Sequence, residues 1–166
     1  MFISSSESTR LEYQHQSLIG LIDGLSDEQI RQRILVGKWS IFENIVHLAT
    51  YQHTFIARVK QMIRENNPSF SRYTAETDPL FHDYCGKTTH EVIKDFLGTR
   101  KDMAAVILSF KQEELTRTGE HPVGGSRTQH ALHGAERDVR TFATTTFYRS
   151  LGSFAGEAPP EGCGIS

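Results

Sequence analysis

The chain has 166 residues, of which 37% are hydrophobic and 23% charged, and its formal net charge is −2. This length suits one domain built around a single core. The balanced charge gives no electrostatic reason to bind nucleic acid or anionic lipid, and the Ser-rich residues 1–10 lack the apolar run of a signal peptide or a membrane span. We therefore expect a cytoplasmic protein with neither nucleic-acid nor membrane partners.

An apolar stripe at helical spacing predicts the first bundle helix, through Leu11, Leu18, Ile22 and Leu25. Gly24 and Ser26 indicate its end. A short helix is predicted over residues 27–35, with Ser26 as its N-cap and Gln29 at the third helical position.

A capping box predicts where the second bundle helix begins. The Ser40 side chain can accept a hydrogen bond from the Glu43 amide, while the Glu43 carboxylate reaches back to the Ser40 amide. The helix should end before residues 66–68, where Pro68 disfavours helix at Asn67. Its apolar seam is typical of the inner face of a bundle: Ile41, Ile45, Leu48, Phe55, Val59 and Met62.

Residues 66–88 are rich in turn-forming residues, yet they also carry Phe70, Tyr73, Leu80, Phe81 and Tyr84. A disordered linker would not need so many aromatic side chains. This composition predicts a crossover packed on the bundle, of the kind that joins two parallel neighbouring helices. A second capping box, Thr88 with Glu91, opens the third bundle helix, whose stripe is Val92, Phe96, Met103, Val106, Ile107 and Phe110.

The fourth bundle helix has the weakest pattern. Helical spacing continues through Leu132, Ala135, Val139 and Phe142, but the β-branched residues 144–146 lower its helix propensity. Residues 152–166 are rich in Gly and Pro and predict a flexible tail. The expected division is thus a helical-bundle domain over residues 1–151 and a tail over residues 152–166.

His47 is the main candidate functional residue. On a helical wheel of about 100° per residue, it lies about 120° from the centre of the seam, beside Asn44 and Tyr51. A histidine on this flank suits either a half-buried side chain that is hydrogen-bonded to a neighbour or a metal ligand. The residues alone favour the first interpretation.

His130 and His133 form a second candidate pair, three residues apart at the start of the predicted fourth helix. Their imidazoles would project from one face and could hold one cation, although this spacing also arises by chance on solvated faces. The position of His15 on the first stripe indicates a core histidine. Surface or loop positions are predicted for His53, His82, His90 and His121.

The Gly-Lys-Trp-Ser start at residues 37–40, together with Glu43 and the His47-Leu48 pair, resembles the DinB-like family, which includes the YfiT-type metal-dependent hydrolases. The resemblance runs from about Leu11 to the loop at residues 121–123. Its best segments are residues 35–55 and 67–70, with Tyr73 and Asp78-Pro79 as further matches.

The resemblance implies an all-α, four-helix bundle with up-down-down-up topology and a long crossover between helices two and three. Such bundles are often homodimers, and they hold a divalent metal with three histidines, one of which matches His47. We assign the metal ligands to His47, His130 and His133. Zinc is the default ion for imidazole ligands, and nickel or iron would also suit them.

This sequence departs from the family at helix four, where a His-x-x-x-His motif normally supplies two ligands. When the family pattern is aligned without gaps from His121, the two histidine positions of this motif fall on Val139 and Ala143. With a shortened loop, His133 matches the first histidine, and Glu136 and Arg137 fall where the later ones belong. Either His133 with His130 or Glu136 rebuilds the site, or the site is lost, or a shifted reading frame has altered the region after about residue 125.

Two functions follow from these alternatives. The leading one is a metal-dependent enzyme that hydrolyses a small-molecule substrate or transfers a small thiol to it, using a cation held by His47 and helix-four ligands. The alternative is a non-catalytic bundle that has lost the metal and serves as a binding or dimerisation module. No catalytic residue beyond the ligands is assigned.

Overall fold

The computed structural model describes residues 5–120 and the backbone of residues 128–130. The predicted tail and the helix-four positions beyond residue 130 lie outside these residues. The described elements, in chain order, are α1 Ser5–Tyr13, α2 His15–Ile22, α3 Asp27–Arg31, α4 Ile41–Arg64, a 3-10 turn Ala75–Thr77, α5 Pro79–Cys85, α6 Thr89–Leu108, a 3-10 turn Glu114–Thr116, β1 Thr118–Glu120 and β2 Thr128–His130.

All three helix starts with a predicted cap are confirmed. In each helix the side chain of the N-cap residue accepts a hydrogen bond from the backbone amide of the third helical residue. The side chain of that third residue accepts one from the backbone amide of the N-cap. The N-cap residues are Ser26, Ser40 and Thr88. These reciprocal bonds satisfy amides that have no partner within the helix. The first residues of α3, α4 and α6 are thereby fixed by local sequence.

α4 and α6 run parallel, as the long crossover predicted. Residues of the N-terminal half of α4, such as Ile45 and Val46, share a core cluster with Val92 and Phe96 from the N-terminal half of α6. The C-terminal halves share a second cluster: Phe55, Val59 and Met62 with Met103, Ala104 and Ile107. Each large side chain that is buried here contributes about 1.5–3 kcal/mol.

α1 and α2 run in the opposite direction to α4. Leu11 of α1 belongs to the cluster at the C-terminal half of α4, whereas Leu18 and Ile22 of α2 pack on the cluster at its N-terminal half. Gln14, between the two helices, keeps helical dihedral angles. The two segments together therefore correspond to the single stripe that was predicted as the first bundle helix.

The crossover between α4 and α6 is packed on the bundle, as its aromatic residues predicted. Phe81 and Tyr84 of α5 are buried, and Tyr73 and Leu80 pack partly buried against the same core. Asp78 caps α5 by accepting a hydrogen bond from the Leu80 amide at 2.9 Å.

The predicted short helix at residues 27–35 ends earlier than expected, at Arg31. Ile34, Leu35 and Val36 are all exposed, so continuing the helix would bury no apolar surface. Arg33 instead turns toward α4 and pairs with Glu43. Tertiary contacts thus overrode the local helical pattern.

The position of His130 also differs from the prediction. Residues 128–130 form β2, which pairs antiparallel with β1, and Thr118 lies opposite His130. The expectation that His130 lies on a fourth helix is therefore wrong. Thr118 and Thr128 are β-branched and therefore suit a strand. β1 is also joined to the crossover by a hydrogen bond of 2.9 Å from the Phe70 amide to the Glu120 carbonyl.

None of the helices in residues 5–120 combines the length and the apolar character needed to cross a lipid bilayer.

Replacing Leu48 with Ala should lower the free energy of unfolding by about 2–5 kcal/mol, because Leu48 is 4% exposed and its loss opens a cavity in the α4 core cluster. Urea denaturation measures the change. The matched control is Leu108→Ala at a side chain that is 39% exposed, which should cost far less. Equal stability of wild type and Leu48→Ala would remove Leu48 from the core.

Replacing Gly119 with Ala should also destabilise the fold, by about 1–3 kcal/mol. A Cβ at residue 119 would approach Cζ of Phe70 to 2.7 Å and the Pro68 carbonyl oxygen to 3.2 Å, so the ring must move. Gly98→Ala is the control, because Gly98 lies inside α6 with nothing within 4 Å of the new methyl group, and it should stabilise the protein. Thermal unfolding distinguishes them, and a stabilised Gly119→Ala variant would contradict this packing.

Candidate functional site

His47 lies in the second turn of α4, on the flank that the helical wheel predicted. Its neighbours Val46 and Leu48 are buried, whereas His47 is only half-buried. The N-cap at Ser40 fixes where α4 begins and hence which way the imidazole projects. His47 is therefore held by rigid structure at the edge of the core, where a ligand can reach it.

Three aromatic side chains surround the imidazole of His47. The ring centroids of Trp39, Tyr73 and Tyr51 lie 5.3, 5.7 and 6.1 Å from that of His47. They come from the segment before α4, from the crossover and from the next turn of α4. We call these four residues the aromatic cluster.

Trp39 connects this cluster to the core. Its ring lies 5.5 Å from that of Phe81, which is 1% exposed. The indole Nε1 is buried and has no hydrogen-bonding partner among residues 5–120. Because indole is only a donor, this N–H can bind an acceptor brought by a ligand. Through these contacts Trp39 anchors the entry to α4 on the core.

Tyr73 is positioned by a hydrogen bond with Thr50, with an oxygen-to-oxygen distance of 3.2 Å. Thr50 has a single hydroxyl proton and lies 3.0 Å from the Val46 carbonyl, which can only accept. When Thr50 donates to that carbonyl, the Tyr73 hydroxyl is the donor to Thr50. Burial raises the pKa of Tyr73 above its ordinary value, so the phenol stays protonated at neutral pH.

Glu43 is the nearest buried carboxylate along α4, but its oxygens are already engaged. It accepts from the Ser40 amide at 2.7 Å and from Nε of Arg33 at 2.8 Å. The bond to Glu43 raises the pKa of Arg33, as expected for a stabilised ion pair. Glu43 is thus a structural residue rather than a general base, as the capping box indicated.

One imidazole does not make a metal site by itself. Within the described residues, no group of three or more His, Cys, Asp or Glu side chains is arranged to hold a metal ion. The half-buried imidazole of His47 can serve as one metal ligand. A metal ion bound at His47 would need further ligands from outside the described residues.

The backbone of His130 lies far from His47, near the C-terminal end of α4. Thr118, opposite His130, contacts Asn67, and the neighbouring Arg117 donates to the carbonyl of Met62. At about 1.5 Å of rise per residue, Met62 lies about 22 Å beyond His47 along α4. The side chain of His130 and the whole of His133 lie outside the described residues.

His53, His82 and His90 are exposed, as the sequence predicted. His15 was predicted to be a core histidine, but it is half-buried and belongs to neither core cluster. None of them approaches His47 in any described contact. His121 lies outside the residues that can be described.

The helical wheel placed Tyr51 beside His47, one turn further along α4, and the structure confirms that contact. Sequence reasoning missed that Tyr73 also packs against His47. Tyr73 carried no usable signal, because its position depends on how the crossover returns across α4.

The DinB superfamily family model matches residues 10–136 of this chain. Among solved structures, a similar one is YfiT from Bacillus subtilis, described as a probable metal-dependent hydrolase with an unusual four-helix bundle topology. The TM-score is 0.64 at 16% identity, and the match covers 92% of each chain. This likeness confirms the four-helix bundle fold. No curated protein matches the chain. Since the family model covers most of its length, the chain belongs to the DinB superfamily.

Proposed function

We propose that this protein is a metal-dependent enzyme that acts on a small-molecule substrate, with His47 as one of its metal ligands. The observation that carries the proposal is the half-buried imidazole of His47, held on a rigid helix and enclosed by three aromatic rings. Trp39 and Tyr73 also pack against the core cluster, so the rings that enclose His47 are held in place by the bundle itself. Hydrolysis and the transfer of a small thiol are the two reaction classes proposed.

The aromatic cluster would supply binding and exclude water. Trp39, Tyr51 and Tyr73 present apolar faces that can cover the apolar part of a substrate, and Trp39 offers an unused N–H. The Tyr73 phenol does not act as a base, because burial keeps it protonated and its proton is donated to Thr50. The hydrogen bond to Thr50 holds the Tyr73 ring in place against His47.

A bound divalent cation would supply a Lewis acid that lowers the pKa of a coordinated water or thiol toward neutrality. Zinc is the default for imidazole ligands, with nickel and iron as alternatives. His47 would contribute a neutral imidazole nitrogen to this ion.

The helix-four ligands are proposed to come from His133, with Glu136 as a further donor. Of His130 and His133, His130 is the weaker candidate. Its backbone lies near the C-terminal end of α4, whereas His47 lies near the N-terminal end. Carboxylate and imidazole donors together are common in catalytic zinc sites, which keep one position open.

A second candidate function is a non-catalytic bundle that binds a partner or forms a homodimer. It is favoured by the sequence after residue 120, which lacks the His-x-x-x-His motif that normally supplies two ligands in the family. A protein of this type would retain the family fold and its core packing while binding no ion. Metal content separates the two functions.

We expect the purified protein to bind zinc at close to one equivalent, and His47→Ala to lose most of it, because three-ligand sites bind weakly once a ligand is removed. Inductively coupled plasma mass spectrometry of protein purified without chelators measures this. His133→Ala should lose metal as well, whereas His130→Ala should retain it.

His53→Ala is the matched control, because His53 lies on the same helix and is exposed. Its metal content should equal that of the wild type. If wild type, His47→Ala and His53→Ala all hold only traces of metal after incubation with zinc, the enzyme proposal is abandoned for the non-catalytic one. Size-exclusion chromatography with light scattering then tests whether that module is a dimer.

A further inference from the structure

Arg100 is a buried positive charge with no negative partner among residues 5–120. The residue is 5% exposed, and its one described contact is a hydrogen bond of 3.2 Å from Nε to the Leu11 carbonyl. Throughout residues 5–120, no carboxylate lies within ion-pair distance of this guanidinium. Buried charges in proteins are ordinarily paired, because an unpaired one loses its hydration without compensation.

Gln52 of α4 adds a second unsatisfied group beside Arg100. Gln52 is 2% exposed, and its amide nitrogen donates to the Phe96 carbonyl at 3.4 Å, one helical turn before Arg100 on α6. Its Oε1 is buried and accepts no hydrogen bond from any described residue. This oxygen therefore lacks a donor, and its side chain is held one helical turn from the backbone of Arg100.

His15 supplies the third group, from the N-terminal end of α2. Its Nδ1 is buried with no hydrogen-bonding partner in the described part of the chain. Burial and the positive charge of Arg100 lower the pKa of His15, so its imidazole is neutral at pH 7 and offers one donor and one acceptor. Three helices thus bring unsatisfied polar groups together.

We propose that Arg100, Gln52 and His15 form a binding site for a small carboxylate that also carries a hydroxyl or amino group. The carboxylate would pair with the planar guanidinium of Arg100, which presents its N–H groups as a fork suited to two oxygens. The hydroxyl or amino group would donate to Oε1 of Gln52, and Nδ1 of His15 would complete the contacts. A ligand of this chemistry would satisfy each of these three groups, which have no such partner among residues 5–120.

The site is separate from the aromatic cluster. Gln52 and Arg100 contact the shared interior of α4, α6 and α1, whereas His47 lies on the flank of α4 toward the crossover. The site is independent of any metal, so removing metal should leave carboxylate binding unchanged.

Thermal unfolding of the full chain in glycolate, at constant ionic strength against sodium chloride, tests this site. The melting temperature of the wild type should rise with the logarithm of the glycolate concentration, by about 5 °C or more at a hundred times the dissociation constant. Arg100→Met should show no glycolate shift and should melt higher than wild type in chloride, because it removes an unpaired buried charge. Arg100→Lys, which keeps the charge but lacks the fork, should show a reduced shift.

Arg64→Met is the matched control, because Arg64 is exposed and its Nε donates only to a backbone carbonyl of its own helix. It should keep the full shift. Saturation-transfer NMR on wild type with glycolate tests binding directly if the Arg100 variants do not fold. No shift in the wild type, or an equal shift in Arg100→Met, overturns the proposal.

Discussion

The parallel packing of α4 against α6 is the constraint on which the rest of the structure depends. Two helices that follow one another can run parallel only if the chain between them travels back along the bundle. Here residues 65–88 make that return, and they do so as a packed strap with buried Phe81 and Tyr84. The same return brings Tyr73 across α4 to His47. The connection that the topology requires thus also builds one wall of the candidate site.

The helix starts and the bundle core could be predicted from sequence because local rules determine them. A Ser or Thr cap with Glu or Gln three residues later fixes a first turn, and the spacing of apolar residues identifies the face that packs inward. The 24 residues of α4, from Ile41 to Arg64, began and ended where these signals placed them. Local rules did not predict the end of α3, because Arg33 lies outside the helix and forms an ion pair with Glu43 of α4.

The candidate site was only partly predictable, because its members come from segments that are distant in sequence. The flank position of His47 followed from the helical wheel, but the approach of Tyr73 depended on the path of the crossover. The strand at residues 128–130 was missed because a β-pairing depends on its partner, and β1 was not recognised as a strand. The buried charge of Arg100 was also missed, because it lies within a helix whose apolar stripe alone was considered.

The central claim is that the aromatic cluster surrounds a metal ligand at His47. Titration with paramagnetic Co²⁺, followed by NMR of assigned side-chain resonances, tests it most directly, because paramagnetic effects fall steeply with distance from the ion. The claim predicts large shifts or broadening at the rings of Trp39, Tyr51 and Tyr73, with little change at Met62 near the far end of α4. Unchanged resonances in the aromatic cluster at saturating Co²⁺ would contradict it.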